Sequence, residues 1–373
     1  MVKHRAFNGD RFLDKFQGQE AILAILAAYV ESWGTGLDVD AADLDITGFK
    51  QFLLTGTGSS KNEFMEGLYR AYDLATDRGY EDLIAACRDL KYCPDPSGRL
   101  PVECLSLKVR TENEAAFNLA YDRCALQKAE RFTVFRGQPG RTIEDPVGAT
   151  GRLQQRLAEI FKDDKNTDRV LVRHYQEGSY TNFIVYHEKR TQAVLVFQAK
   201  RKVAPTVLCP VQQDFISYNS ETGQLEIEAR FPREETALRR AFAECCFGDA
   251  EMFEQPEAWQ SFSLSALQEQ DFELVVDEGD EAEVIELQCL LPEKTETTMT
   301  LKSKDLGGTL NLIALKQLLH NAPIRRLVLK ISFADDRRGK RVELTGTNKI
   351  SFKRATHAEN VFRYLRNWRL ARV

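Results

Sequence analysis

Nine cationic side chains near the end of the chain are the residues best suited to bind a phosphate-bearing partner. They are Arg337, Arg338, Lys340, Arg341, Lys353, Arg354, Arg363, Arg366 and Arg369. A planar guanidinium forms two charge-assisted hydrogen bonds to one phosphate, which makes arginine well suited to phosphate recognition. We therefore predict that these residues contact nucleic acid, either DNA or RNA.

The charge of the chain is unevenly distributed along its length. The 373 residues carry a net charge of −5, but residues 292–373 carry +11, residues 146–291 carry −11 and residues 1–145 carry −5. Such an uneven charge distribution indicates which partners the chain can bind, but it does not indicate the fold. The basic segment is therefore expected to bind an external polyanion or, alternatively, to dock on the acidic middle of its own chain or on a protein partner.

A second group of residues lies in a predicted β-hairpin between Asn182 and Lys200. The outline of this segment resembles the hairpin of PD-(D/E)XK nucleases, in which one strand carries an acid and the next ends in carboxylate-x-lysine. The resemblance implies metal-dependent cleavage of nucleic acid, with Lys200 as the candidate catalytic residue that stabilises developing charge. Asn182 and Gln198 stand where the family has its two acids, and neutral amides bind Mg²⁺ poorly. The resemblance therefore implies a degenerate nuclease, and an ordinary hairpin is the alternative.

Other catalytic and metal-binding patterns are absent from the sequence. The five histidines are far apart, and neither His-Glu-x-x-His, Cys-x-x-Cys nor Gly-x-Ser-x-Gly occurs. These observations predict no metal and no cofactor. They favour a non-enzymatic binding or regulatory protein, although a catalytic group assembled from distant residues stays open.

The sequence also gives expectations about location. No run approaches the roughly 18 apolar residues of a membrane span, and the first residues do not form a secretory signal. The eight cysteines show no paired framework, and Cys245 and Cys246 are adjacent. We therefore expect a cytoplasmic protein with reduced thiols and no membrane segment. The oligomeric state is left open.

The pattern of helices and strands expected along the sequence predicts an α+β multidomain chain. Residues 1–145 show helical spacing of apolar residues and are expected to form a helical domain. Residues 146–291 are expected to form an acidic α+β domain with a central, mostly antiparallel sheet and flanking helices. Residues 292–373 are expected to form a small basic α+β unit with a strand at 298–301, a helix near 310–320, a hairpin and a last helix from Ala358.

The strand predictions bear directly on the candidate sites. Continuous apolar runs at 183–186 and 194–197 suit central strands, with 188–191 as the hairpin loop between them. One long strand is expected at 207–218. In the basic unit, residues 326–333 and 342–345 are expected to pair around a turn at 336–339.

Overall fold

A computed structural model describes residues 7–372 apart from 35–36, 38–39, 42–43, 56–60, 96–97, 166, 190, 198–202, 270–271, 292–296, 304–321 and 355–356. The chain divides into two compact units, which meet in sequence between Lys128 and Ala129. The three domains expected from the sequence, with boundaries after residues 145 and 291, stay a prediction. The first unit is helical, and the second contains all the described strands.

The helical unit is built from amphipathic helices around an aromatic-rich core. The helices are α1 (Gly9–Leu13), α2 (Glu20–Trp33), α3 (Ile46–Thr55), α4 (Lys61–Leu74), α5 (Asp77–Asp89), α6 (Val102–Glu112) and α7 (Glu114–Lys128). In α4, Phe64, Leu68 and Tyr72 recur at helical spacing, and all three are buried. Thr76 begins α5 because its hydroxyl accepts a hydrogen bond from the Gly79 N–H at 3.0 Å.

The second unit contains a ten-stranded sheet in the order β2-β3-β6-β7-β1-β12-β11-β10-β8-β9, and the described pairings in it are antiparallel. Its strands are β1 (Arg131–Arg136), β2 (Val170–Glu177), β3 (Tyr180–Glu188), β6 (Val211–Asn219), β7 (Gln224–Glu228), β8 (Glu281–Leu290), β9 (Thr298–Lys302), β10 (Ile324–Phe333), β11 (Asp336–Thr345) and β12 (Lys349–Ser351). Strands β4 (Gln192–Phe197) and β5 (Val203–Leu208) form a separate two-stranded ribbon. The expected α+β class with a mostly antiparallel sheet is confirmed.

Among the described residues of this unit, the α-helices are α8 (Pro146–Lys165), α9 (Pro232–Phe247) and α10 (Ala358–Asn367). The first two cover one face of the β2-β3-β6-β7-β1 half, where Phe183 and Ile216 contact Leu157 and Phe242 in one buried cluster. Ile184 and Phe215 oppose each other on the other face of β3 and β6 and are also fully buried, so the apolar run of β3 is that of a strand buried on both faces. Helix α10 packs through Phe362 and Tyr364 against aromatic side chains at the ends of β12 and β10.

Two local strand predictions are wrong, one hairpin has its turn at a different position, and one helix prediction concerns residues that the structure does not describe. Strand β3 pairs with β2 and β6 rather than with β4, so the hairpin predicted around 188–191 does not form. The single strand predicted at 207–218 is two strands, because Pro210 interrupts the ladder between β5 and β6. The β10–β11 hairpin is confirmed, although its turn lies at 334–335. The helix predicted near 310–320 lies outside the described residues.

Among the described residues, no helix combines the length and the apolar character needed to cross a membrane.

Candidate functional site

The predicted nucleic-acid-binding residues of the basic segment are largely engaged by carboxylates of the same chain. The ion pairs are Lys340–Asp336 (3.8 Å), Arg341–Glu286 (3.5 Å), Arg354–Glu226, Arg363–Asp277 (2.5 Å) and Arg369–Glu269 (2.6 Å). Of the remaining predicted residues, Arg338 and Lys353 are exposed and Arg366 is half-buried, while the side chain of Arg337 is outside the described part of the structure.

The contacts of α10 show how this pairing is built. Both terminal guanidinium nitrogens of Arg363 donate to Asp277, Nη1 to Oδ1 at 3.3 Å and Nη2 to Oδ2 at 2.5 Å. These hydrogen bonds lower the pKa of Asp277. Next to this pair, the Tyr364 hydroxyl donates to Asp280 Oδ2 at 2.5 Å. The acidic loop before β8 therefore neutralises one side of the last helix.

Arg354 is the most enclosed of the predicted residues. Its side chain is 9% exposed, its ion-pair partner Glu226 is fully buried, and its guanidinium lies 3.6 Å from the centre of the Phe132 ring. Gln224 donates a hydrogen bond to the same carboxylate at 2.6 Å. A phosphate could reach Arg354 only by disrupting this buried pair, so the structure favours a stabilising role for the residue.

An open part of the sheet carries more basic than acidic residues. Opposed residues on antiparallel strands share a face, and the register places Arg131 and Lys349 on the same face as Arg326. On this part of β1, β12, β11, β10, β8 and β9, the described cations are Arg131, Lys302, Arg326, Lys330, Arg341 and Lys349, and the described acids are Glu281, Glu283, Glu286 and Glu343. We call this set the open basic face.

Ion pairs within the open basic face are centred on Glu286, whose carboxylate is 6% exposed. It accepts from Arg326 at 2.6 Å and pairs with Arg341 at 3.5 Å and Lys302 at 3.3 Å. Arg326 also donates twice to Glu343, at 2.7 Å each, which lowers the pKa of that carboxyl. Three cations share one buried carboxylate, so a positive charge excess is left at the surface.

The nuclease-like segment does not form the arrangement that the resemblance implies. Asn182 lies on β3, is buried and accepts a hydrogen bond from the Ser217 hydroxyl at 2.5 Å. Because β3 and β4 are not paired, the two halves of the predicted motif are on different sheets. Gln198 and Lys200 lie outside the described residues, so the catalytic assignment of Lys200 stays a prediction.

The β4–β5 ribbon exposes an apolar face that the sequence reading assigned to a sheet interior. Residues opposed in the register share a face, which places Ala193, Leu195, Val203, Pro205 and Val207 together. All five are exposed, and Leu195, Val207 and Val203 are 71%, 65% and 54% exposed. Neither strand contains a charged residue. Continuous exposed apolar surface of this kind marks interaction sites.

A buried polar cluster lies between the sheet and the first turn of α9. His187 at the end of β3 and Asp214 on β6 are each 1% exposed, and their Nε2 and Oδ2 atoms are 2.8 Å apart. Glu234 of α9 is 4% exposed, and Gln212 donates to both carboxylates at 2.7 Å. One ligand atom from each of His187, Asp214 and Glu234 lies within 4.8 Å of the others.

Sequence spacing did not identify this cluster, because its members come from separate elements. The available signal was polar residues at inward positions of otherwise apolar strands: His187 follows Phe183 and Val185, while Gln212 and Asp214 precede Ile216. Only the β3–β6 pairing shows that these positions are neighbours.

A comparison of the sequence with models of protein families finds no match, and a comparison with curated proteins finds none either.

Proposed function

We propose that the protein is a non-enzymatic protein-interaction component that assembles with a second copy of itself through the β4–β5 ribbon. In this proposal the basic C-terminal segment forms ion pairs mainly with carboxylates of its own chain. The observation that carries this proposal is the exposed apolar face of the ribbon, formed by Ala193, Leu195, Val203, Pro205 and Val207.

Stability gives the first reason for a partner. A two-stranded ribbon alone in water is marginally stable at best. Burial of one Val or Leu side chain contributes roughly 1.5–3 kcal/mol. The Leu195, Val203 and Val207 side chains, more than half exposed in the single chain, therefore provide enough apolar surface to stabilise an interface.

Charge and symmetry give the reason for a second copy. Two identical ribbon faces repel each other only if they carry charge, and β4 and β5 carry none. A two-fold axis brings one apolar face onto the same face of the partner, and such isologous dimers are the commonest symmetric assemblies. The net charge of −5 is carried by other parts of the chain.

The oligomeric state of the full chain tests this proposal. We expect sedimentation equilibrium to show a dimer for the wild type and a monomer for Leu195→Lys, because the introduced ammonium groups oppose each other across the two-fold axis. Gln192→Lys adds the same charge on the other ribbon face and should remain dimeric. A monomeric wild type at tens of micromolar, or equal dissociation constants for the two variants, would overturn the proposal.

A second candidate function follows from the open basic face. Nucleic acid binding by this face is supported by the excess of cations over acids, and Arg131 and Lys349 at its edge are exposed. If each cation neutralises one phosphate, its removal lowers the slope of log affinity against log salt by about 0.9.

Binding of a random-sequence duplex DNA and a duplex RNA, measured over a salt series, tests this second function. We expect Arg131→Ala and Lys349→Ala each to weaken binding and to reduce the salt slope. The control variant is Arg363→Ala, since Arg363 pairs with Asp277 away from this face. Absence of binding at low salt, or a larger effect of Arg363→Ala, would exclude the open basic face as the contact surface.

A further inference from the structure

The buried cluster of His187, Asp214, Glu234 and Gln212 has the composition of a closed metal site. We infer that it binds one divalent first-row transition metal ion, with Zn²⁺ as the ion that fits it best. The inference is independent of the dimer and of nucleic acid binding. Three elements supply the ligands, β3, β6 and the first turn of α9.

The spacing of the ligand atoms is the first support. His187 Nε2 lies 2.8 Å from Asp214 Oδ2, and one ligand atom from each of the two and Glu234 lies within 4.8 Å of the others. Zinc holds nitrogen and oxygen ligands at about 2.0–2.2 Å in a tetrahedron, which sets neighbouring ligand atoms about 3.4 Å apart. The 2.8 Å separation is shorter than this value and the 4.8 Å limit on the others exceeds it, so side-chain movements of an ångström or so would close the site.

The burial and hydrogen bonding of the Gln212 side chain are the second and independent support. Its side chain is 4% exposed, and its amide nitrogen lies between two carboxylates, at 2.7 Å from Asp214 Oδ1 and Glu234 Oε2. Its carbonyl oxygen is buried and has no hydrogen-bond partner among the described residues. An unsatisfied buried acceptor is costly. A cation between the two carboxylates would displace the amide nitrogen, and rotation of the amide would present the oxygen as a fourth ligand.

The orientation of His187 is the third support. Its Nδ1 lies 3.3 Å from the backbone oxygen of Glu188. Its Nε2 lies 2.8 Å from Asp214 Oδ2. Both of these oxygens only accept, so Nε2–H donates to Asp214 when no metal is bound, and the Glu188 carbonyl can hold the hydrogen on Nδ1 when Nε2 binds a metal. Metal-binding histidines are commonly oriented in this way by a backbone carbonyl on the other ring nitrogen.

The ligand chemistry selects the ion. One imidazole nitrogen with carboxylate and amide oxygens suits Zn²⁺ or Mn²⁺, whereas Ca²⁺ takes oxygen ligands and Mg²⁺ retains several waters. The near-complete burial of His187, Asp214 and Glu234 leaves little room for water or substrate. A site closed by four protein ligands is structural rather than catalytic. The ion would fix the start of α9 to β3 and β6.

Metal titration of the chelator-treated full chain tests the inference. We expect isothermal titration calorimetry to show one Zn²⁺ ion per chain, and thermal unfolding to shift to higher temperature as Zn²⁺ is added. Glu234→Gln and Asp214→Asn preserve side-chain size and should each raise the dissociation constant at least about 100-fold. Glu244→Gln, an exposed glutamate on the same helix that pairs with Arg156, is the matched control and should bind as the wild type does.

Substitution of Co²⁺ separates this site from adventitious binding by thiols, since Cys93 and Cys209 are exposed. Binding at the cluster gives visible bands without the strong thiolate-to-cobalt charge-transfer absorption. The inference is overturned if the wild type binds no stoichiometric Zn²⁺, if thiolate absorption accompanies Co²⁺ binding, or if Glu234→Gln binds Zn²⁺ unchanged. The wild-type titration decides the question even if a variant fails to fold.

Discussion

Replacement of Arg354 distinguishes a stabilising role from a nucleic acid contact. Arg354→Met keeps most of the apolar stem but leaves Glu226, which is fully buried, without its cation. Breaking a buried ion pair on one side costs about 3–5 kcal/mol, because an uncompensated charge remains. Loss of the cation–π contact with Phe132, 3.6 Å from the guanidinium, adds at most about 2 kcal/mol. The variant should therefore lose several kcal/mol of its free energy of unfolding.

The assay is urea unfolding followed by hydrogen-exchange mass spectrometry of peptides from residues 129–373, which reports on the sheet-containing unit. Lys353→Met is the matched control, because Lys353 is the neighbouring residue and is exposed; it should change stability by less than about 0.5 kcal/mol. The double variant Glu226→Gln/Arg354→Met should recover part of the loss, since the unpaired charge is gone. Equal stabilities of Arg354→Met and Lys353→Met would refute the reasoning.

Three further outcomes follow from burial and pairing. Alkylation at about pH 8 should modify the exposed Cys209 in the folded chain and should modify Cys104 only after unfolding, because burial raises the pKa of Cys104 to about 12. Peptide mapping shows the order in which the two cysteines are labelled, and early labelling of Cys104 would contradict its burial. Leu238→Ala should cost about 2–5 kcal/mol in urea unfolding, because Leu238 is fully buried between α9 and the sheet, and a cost below about 1 kcal/mol would count against this packing. The hydrogen bonds from Arg326 lower the pKa of Glu343 below its ordinary value of 4.5. The pair therefore stabilises the fold above pH 4.5, and this contribution is lost as the pH falls below that value. Glu343→Gln should flatten this part of the curve of stability against pH, and an unchanged curve would contradict the pairing.

The sequence predicted the class of fold well where short-range pattern determines structure. Residues 61–74 repeat apolar side chains every three or four positions, so their helix requires no knowledge of the rest of the chain. The β10–β11 hairpin likewise depends on residues close in sequence. Such elements were predicted because local spacing and tertiary packing favour the same structure.

Pairing between distant strands was the part that spacing could not predict. The apolar run at 194–197 is typical of a buried strand, yet Leu195 is 71% exposed on a separate ribbon. Strand β3 bypasses β4 and pairs with β6, and this long-range pairing determines both the buried polar cluster and the separation of the β4–β5 ribbon from the large sheet. It brings His187 beside Gln212, whereas Leu195, Val203 and Val207 of the ribbon are exposed. A short apolar run cannot distinguish burial in its own chain from burial against a partner.

The opposite charges of the middle and end of the chain are explained by the order of the strands. Strand β8 carries Glu283 and Glu286 and pairs directly with β10, which carries Arg326 and Lys330. Cross-strand ion pairs of opposite sign stabilise this pairing and disfavour a register that places like charges together. Much of the acidic and basic patterning therefore specifies how the second unit assembles, before any external partner is considered. The cations that exceed this requirement, such as Lys349 at the edge of the open basic face, are the ones whose removal should alter binding to a polyanion while leaving the fold intact.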